Sequence, residues 1–294
     1  MGKQHYGREL WERMGEFVDA ADNLPVYDCG PWTIRKLFFL CQYVAQVTTA
    51  MVGSRFFSSA NYIDLFASSG VCRVTAESGR QQLYPGSALL AAGCKKPFDN
   101  IFVVEKEADL LSALQQRIKR LETSSRVQAW NGDANVLIDK VAAAIPDRAL
   151  NVAFIDPYSL DIHFKTISTL AKARPMDLLI LFADAMDIAR NVDEYYYSRH
   201  SDKLDLLLGE RSNWRQGWEK LHNRDGGNLR QFFAEVYLSQ LKLLGYSFSR
   251  TLPINSDHGP LYRLVFASKH ERGLKFWDIS ANEDLEGNKG LFGI

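Results

Sequence analysis

The chain is short of cysteine, of long apolar runs and of net charge. Its four cysteines, Cys29, Cys41, Cys72 and Cys94, are scattered, with no CxxC pair and no neighbouring histidines. Neither a zinc set nor a disulfide framework is expected, and the thiols read as reduced. No stretch approaches the ~18 uncharged apolar residues needed to cross a bilayer. The opening MGKQHYGRELWERMGEF lacks the apolar segment of a signal peptide, so the expected location is the cytoplasm, away from membranes. Lys plus Arg number 35 and Asp plus Glu also 35, which excludes a coat protein held on nucleic acid by overall charge and leaves only local patches. Missing too is the G-x-G-x-x-G turn of a nicotinamide-dependent dehydrogenase: residues 67–72 read ASSGVC.

What remains is ordinary globular material, 294 residues of which 46% are hydrophobic, enough for one large core with additions. Leu37, Leu40, Cys41, Val44 and Val47 recur at three- and four-residue spacing, which predicts an amphipathic helix over 32–52. From residue 61 the chain alternates. Strands are expected at 61–66, 101–105, 127–130, 151–156 and 177–183, with helices at 87–94, 108–121, 135–145 and 164–173. A polar loop is expected between the turn at 67–70 and the first of those helices. Strands separated by helices of ten or so residues require a parallel sheet with right-handed crossovers. The runs IFVVE, NVAFID and DLLILFA are apolar nearly throughout, as in strands covered on both faces.

Residues 187–225 break this rhythm with eight acidic and seven basic side chains and the run Tyr195-Tyr196-Tyr197, an exposed helical insertion. A helix over 229–244 then leads to two strands, 247–252 and 261–268, joined by a turn short enough to make them antiparallel.

In a doubly wound sheet, ligands sit at the carboxyl ends of the strands, so the residues closing each strand are the informative ones. Asp64 and the small turn Phe66-Ala67-Ser68-Ser69-Gly70 let a ligand approach the backbone, as many structural turns do. Glu105 is suited to accept two ribose hydroxyls, or else opens the next helix. Asp133 in the stretch NGDA is placed for the exocyclic amine of adenine with Ala134 on a ring face, or else caps a helix. Asp156-Pro157-Tyr158 offers an acceptor beside a stacking ring, or else a turn. The tyrosine run with Arg190, Arg199 and His200 reads as a base platform or a solvated face. Trp214 and Trp218 read as core or interface, and His163 and His258 as loop residues.

Taken in order, YIDLFASSG (62–70), PGSALLAA (85–92), IFVVEKE (101–107), NGDAN (131–135), AFIDPYSL (153–160) and DLLILF (177–182) closely resemble the three-Cys-motif partner protein family of S-adenosylmethionine-dependent methyltransferases. The resemblance spans roughly residues 30–280. It implies a Rossmann-like class I methyltransferase fold, α/β, with a mostly parallel seven-stranded sheet whose last hairpin is antiparallel. The organisation would be a helical N-terminal extension (1–55), a core (56–186), a helical insertion (187–228) and a C-terminal part of the core (229–294). It implies S-adenosylmethionine as cofactor, with Asp64, Phe66, Ala67, Ser68 and Gly70 at its methionine end, Glu105 on the ribose, and Asp133 with Ala134 at the adenine. Asp156 and Tyr158 would hold an amino-group acceptor. A protein bearing a three-cysteine motif is the implied partner, and six basic residues from 242 to 275 against two acidic ones are compatible with DNA or RNA. The turn has one glycine where related enzymes carry two or more, which keeps open a non-catalytic adaptor that retains the fold.

Overall fold

The computed structural model describes residues 6–20, 22–53, 56–76, 78–197, 202–282 and 285. Helix α1 (Tyr6–Asp19), a short strand β1 (Tyr27–Cys29) and helix α2 (Trp32–Met51) precede the main sheet. The alternating region then gives β2 (Ser59–Asp64), β3 (Val71–Thr75), β4 (Gln81–Pro85), α3 (Ser87–Ala92), β5 (Asn100–Glu105), α4 (Ala108–Arg120) and β6 (Arg126–Asn131). It continues through α5 (Ala134–Ala144), β7 (Ala149–Ile155), α6 (Phe164–Ala173) and β8 (Asp177–Phe182). A π-helical turn, Asp184–Ile188, opens the charged insertion, which folds as α7 (Ala189–Tyr197), α8 (Lys203–Leu208) and α9 (Trp214–Glu219). Then follow α10 (Gly226–Leu243), β9 (Phe248–Ser256), β10 (Gly259–Ser268) and α11 (Glu271–Ser280).

Seven strands form one sheet in the order β6-β5-β2-β7-β8-β10-β9. The first five run parallel, while β10 is antiparallel to both β8 and β9. This is the Rossmann-like class I methyltransferase arrangement, with the chain reversing direction across the sheet between β2 and β7. Register is pinned inside the sheet by three asparagines at facing positions: Asn100 donates to Asn61 at 2.7 Å and Asn61 to Asn151 at 2.8 Å. Buried amides that satisfy one another across strands disfavour a slip, which would strand all three.

One face of the sheet packs on α2, α3, α4 and α11, the other on α5, α6 and the helices from α7 to α10. The stripe Leu37, Leu40, Cys41, Val44 and Val47 is buried as expected. Phe38, Phe39 and Tyr43 are buried too, with α1 and α11 packed on the outside of α2, and Lys36 is buried against Asp156. Among the described residues no helix is long and apolar enough to cross a membrane.

Three local expectations are corrected. The stretch 71–85 is not a loop but the hairpin β3–β4, with β1 added parallel to β3 as a small second sheet. Val71, Val74 and Pro85 are buried while the other residues of the two strands are partly or fully exposed, a pattern too short and polar to stand out. The β9–β10 strands extend to a two-residue turn at Asp257-His258, shorter than the connection expected between residues 252 and 261. Helix α11 was not foreseen; its Trp277 stacks on Phe266 at 5.1 Å.

Candidate functional site

The carboxyl ends of β2, β5 and β6 are tied into one surface by backbone hydrogen bonds. After β2 the turn folds over β5: the Ala67 amide donates to the Val104 carbonyl at 3.0 Å, and the Ser68 amide to Glu105 Oε2 at 2.7 Å. Glu105 Oε1 accepts from the Glu107 amide at 2.8 Å. Each carboxylate oxygen thus holds one backbone N–H and keeps a lone pair free. The Gly132 amide and the Asn131 side chain both donate to the Glu105 carbonyl at 3.0 Å, bringing the β6 end alongside. Asp133 caps α5 by accepting from the Asn135 amide at 2.7 Å, and Ala134 is buried in the first turn behind it. The capping role and a ligand role are compatible, since only Oδ1 is used.

The turn owes its shape to unusual backbone angles. Gly70 has φ +78° and Ser68 adopts φ +51° without being glycine, a conformation costing an L-residue roughly 1 kcal/mol. Ser68 thereby holds the left-handed conformation that a glycine would adopt without that cost. The Ser68 hydroxyl is buried with no hydrogen-bond partner, an orphan donor beside the keyed Glu105 carboxylate. Gly86 returns the hairpin by donating to the Gly70 carbonyl at 2.7 Å. Arg117 of α4, fully buried, fixes the turn from below. It donates to the Ser69 carbonyl at 2.8 Å, to those of Pro25 and Leu24, and in two contacts to Asp22. That bond from Arg117 holds the Asp22 carboxyl below its ordinary range.

Asp64, expected at the methionine end, lies wholly buried under this turn. Tyr62 donates to its Oδ2 and the Phe66 amide to its Oδ1, both at 3.3 Å. Burial pushes its carboxyl up to about 7 against the opposing pull of Ser87 and the Phe66 amide. Phe66 is half-buried and Ala67 buried at the same place.

Past β7 lies a second corner that sequence reasoning saw only in part. Asp156 forms an ion pair at 2.6 Å with Lys36 of α2, the two side chains being 18% and 11% exposed. Burial alone would drive the proton off Lys36, but the neighbouring carboxylate outweighs it and holds the ammonium above its ordinary range. The ammonium stands 5.7 Å from the ring centre of Tyr262, a residue of β10 that is 1% exposed and whose hydroxyl has no partner. Cys29 and Cys72, from β1 and β3, share a hydrogen bond here that lowers Cys29 and raises Cys72. Tyr158 is 77% exposed at the rim. Lys36, Tyr262, Cys29 and Cys72 carried no sequence signal, because each comes from a different element and only the fold unites them.

The remaining candidates have structural roles. Trp214 and Trp218 are core residues. The Tyr195 hydroxyl donates to Asp187 at 2.5 Å, and Tyr196 packs on Trp218 at 4.2 Å while bonding Glu219. Only Tyr197 of the three is exposed, so the run is no continuous stacking platform. Arg199 and His200 lie outside the described residues. His163 precedes α6 and His258 sits in the exposed β9–β10 turn. Among the described residues no group of three or more His, Cys, Asp and Glu side chains converges to hold a metal.

No family model matches the sequence, and no curated protein matches it. Among solved structures the chain is similar to an O-methyltransferase from Bacillus cereus in complex with SAH. That match has 14% identity over 92% of this chain and 93% of that one, with TM-score 0.45. It is similar to the O-methyltransferase TomG from Streptomyces achromogenes in complex with SAM (10% identity, 91% of each chain, TM-score 0.42). A third is Trm1 from Pyrococcus horikoshii with S-adenosyl-L-methionine, at 10% identity over 83% of this chain and 58% of that one, TM-score 0.44. The fold assignment rests on the strand order itself.

Proposed function

We propose that the chain is a methyltransferase that binds S-adenosylmethionine across the ends of β2, β5 and β6 and serves an acceptor at Asp156. The observation that carries this reading is the orphan Ser68 hydroxyl beside a Glu105 carboxylate oriented by two backbone amides, at the edge where open α/β sheets bind ligands. The residues fit such a cofactor. Glu105 would take the ribose hydroxyls and Asp133 the adenine amine, with Ala134 beneath the ring. Phe66, Ala67, Ser68 and Gly70 would line the methionine end, with the buried Asp64 setting its charge. When bound, S-adenosylmethionine supplies an electrophilic methyl group on a sulfonium sulfur. The protein's own contribution is then positioning and fixed electrostatics rather than covalent chemistry.

The alternative is a non-catalytic adaptor that retains the fold; its support is the single-glycine turn, and the left-handed Ser68 supports the cofactor-binding reading instead. The resemblance implies an amino group as the acceptor, held by Asp156 and Tyr158, and Asp156 carries its ion pair with Lys36 at that place. Association with a three-cysteine-motif protein, and with DNA or RNA, is proposed on the resemblance and the basic bias near the C-terminus, and co-purification tests it. The central test is calorimetric titration with S-adenosylhomocysteine. The wild-type chain is expected to bind and Glu105→Ala to bind at least ~10-fold more weakly while remaining folded by circular dichroism. A folded wild-type chain that takes up no heat would overturn the proposal.

A further inference from the structure

The geometry points to a phosphate-binding site farther along the same sheet edge, formed by Arg230 of α10 and Arg263 of β10 around the buried carboxylate of Asp184. Its ligand is a phosphate group, borne by a small molecule or by a nucleic-acid backbone. Binding there does not require S-adenosylmethionine, so the site goes beyond the methyl-transfer reading.

Asp184 follows β8 and opens the π-helical turn, an irregularity frequent at functional sites. It is wholly buried. Its Oδ2 accepts from Arg263 Nε at 2.6 Å and from Arg230 Nε at 3.2 Å, while Oδ1 is sealed and meets neither. The two guanidiniums therefore stand side by side on one oxygen, the side chains of Arg230 and Arg263 being 16% and 15% exposed. Two cations in a recess share one carboxylate, an imbalance that a second anion relieves. The other carboxylate of the turn, Asp187, is already taken by Ser159, Asn191 and Tyr195.

Each arginine spends only its Nε–H on Asp184. A guanidinium has five N–H groups, and among the described residues those on the terminal nitrogens of Arg230 and Arg263 meet no acceptor, although none of these nitrogens is sealed from solvent. What is left on each is the terminal fork that pairs with oxyanions in two parallel bonds. A planar carboxylate has one pair of oxygens and fills one fork; a phosphate has three or four and serves both. The place suits a ligand as well. Ile155 faces Ile180 across β7 and β8, and Phe182 faces Arg263 across β8 and β10, which sets the arginines two strand spacings from Asp156, roughly 10 Å. Ser159, in the loop after Asp156, donates to Asp187 in the turn that carries Asp184, so the two corners are joined.

The test is calorimetric titration of the full chain with inorganic phosphate, and with acetate as the planar anion, at one fixed ionic strength. Phosphate is expected to bind saturably and at least ~10-fold more tightly than acetate. Arg230→Lys and Arg263→Lys each keep a cation for Asp184 but lose the fork, and each is expected to weaken phosphate at least ~10-fold while remaining folded by circular dichroism. No saturable phosphate binding to wild type, or acetate binding as tightly as phosphate, overturns the site whatever the variants do. Phosphate binding unchanged in the folded variants overturns it too. Ribose 5-phosphate and single-stranded oligothymidylate then separate the two sources, the tighter of them naming the class of ligand. Because no arm contains S-adenosylhomocysteine, failure of this site is distinguishable from failure of the methyltransferase reading.

Discussion

Asp64 shows what burial does to a single carboxyl. Unfolded, it ionises near its ordinary 3.8; folded, desolvation pushes it up to about 7. Between those values the native chain keeps a proton that the unfolded chain has released. Stability contributed by this group is therefore greatest below about pH 4, declines as pH rises, and is fully lost above about pH 7. Asp64→Asn removes the effect. Measured by urea midpoints, the variant is expected to gain on wild type by roughly 2 kcal/mol between about pH 5.5 and about pH 8, whatever its offset at low pH. A constant difference would contradict the burial argument. Ser68→Ala gives the complementary case. Removing a buried hydroxyl without a partner leaves the unliganded chain as stable or more so, while weakening S-adenosylhomocysteine binding, checked by thermal melts and calorimetry on the same samples. Glu105 and Asp156 were legible because each stands at the end of an apolar strand, and Asp133 because it sits in the small turn between β6 and α5. Lys36 was not: a lysine on an amphipathic helix reads as part of its solvated stripe, and its burial depends on a carboxylate 120 positions away.

Among elements, α4 and the hairpin β3–β4 decide whether the crevice keeps its shape. Arg117 joins the segment before β1 to the Ser69 carbonyl, so Arg117→Met leaves three carbonyls without this donor, while Asp22 keeps Arg120 at 2.9 Å. A loss of about 2–4 kcal/mol in denaturant unfolding is expected from the carbonyls left without that partner. Gly86→Ala probes the close approach at the root of the hairpin, where a Cβ would meet the Gly70 carbonyl carbon and oxygen at 2.9 Å. Backbone must move to admit it, at a cost of about 1–3 kcal/mol, and cofactor affinity should fall with it; an unchanged calorimetric titration would show that the turn is not part of the binding surface. The parallel strands and crossover helices could be read because apolar runs of five or six residues alternate with longer amphipathic stretches. The small sheet could not. Its strands are three to five residues long, half polar, and β1 pairs with β3 across more than forty residues.

At the scale of the molecule, the N-terminal segment is part of the site rather than an appendage to it. The core sheet supplies Glu105, Asp133 and Asp156, while α2 and β1 supply Lys36, Tyr27 and Cys29 to the same edge. Sequence alternation locates the sheet edge, but which outlying elements close over it is a tertiary fact set by ion pairing and packing. The most direct measurement is the crystal structure of the chain grown with S-adenosylhomocysteine. The account predicts the ligand across the ends of β2, β5 and β6, with its ribose on Glu105, its adenine beside Asp133 and its sulfur directed toward Asp156. Density for the ligand elsewhere, or a crevice closed by side chains from the turn at 66–70, would contradict it.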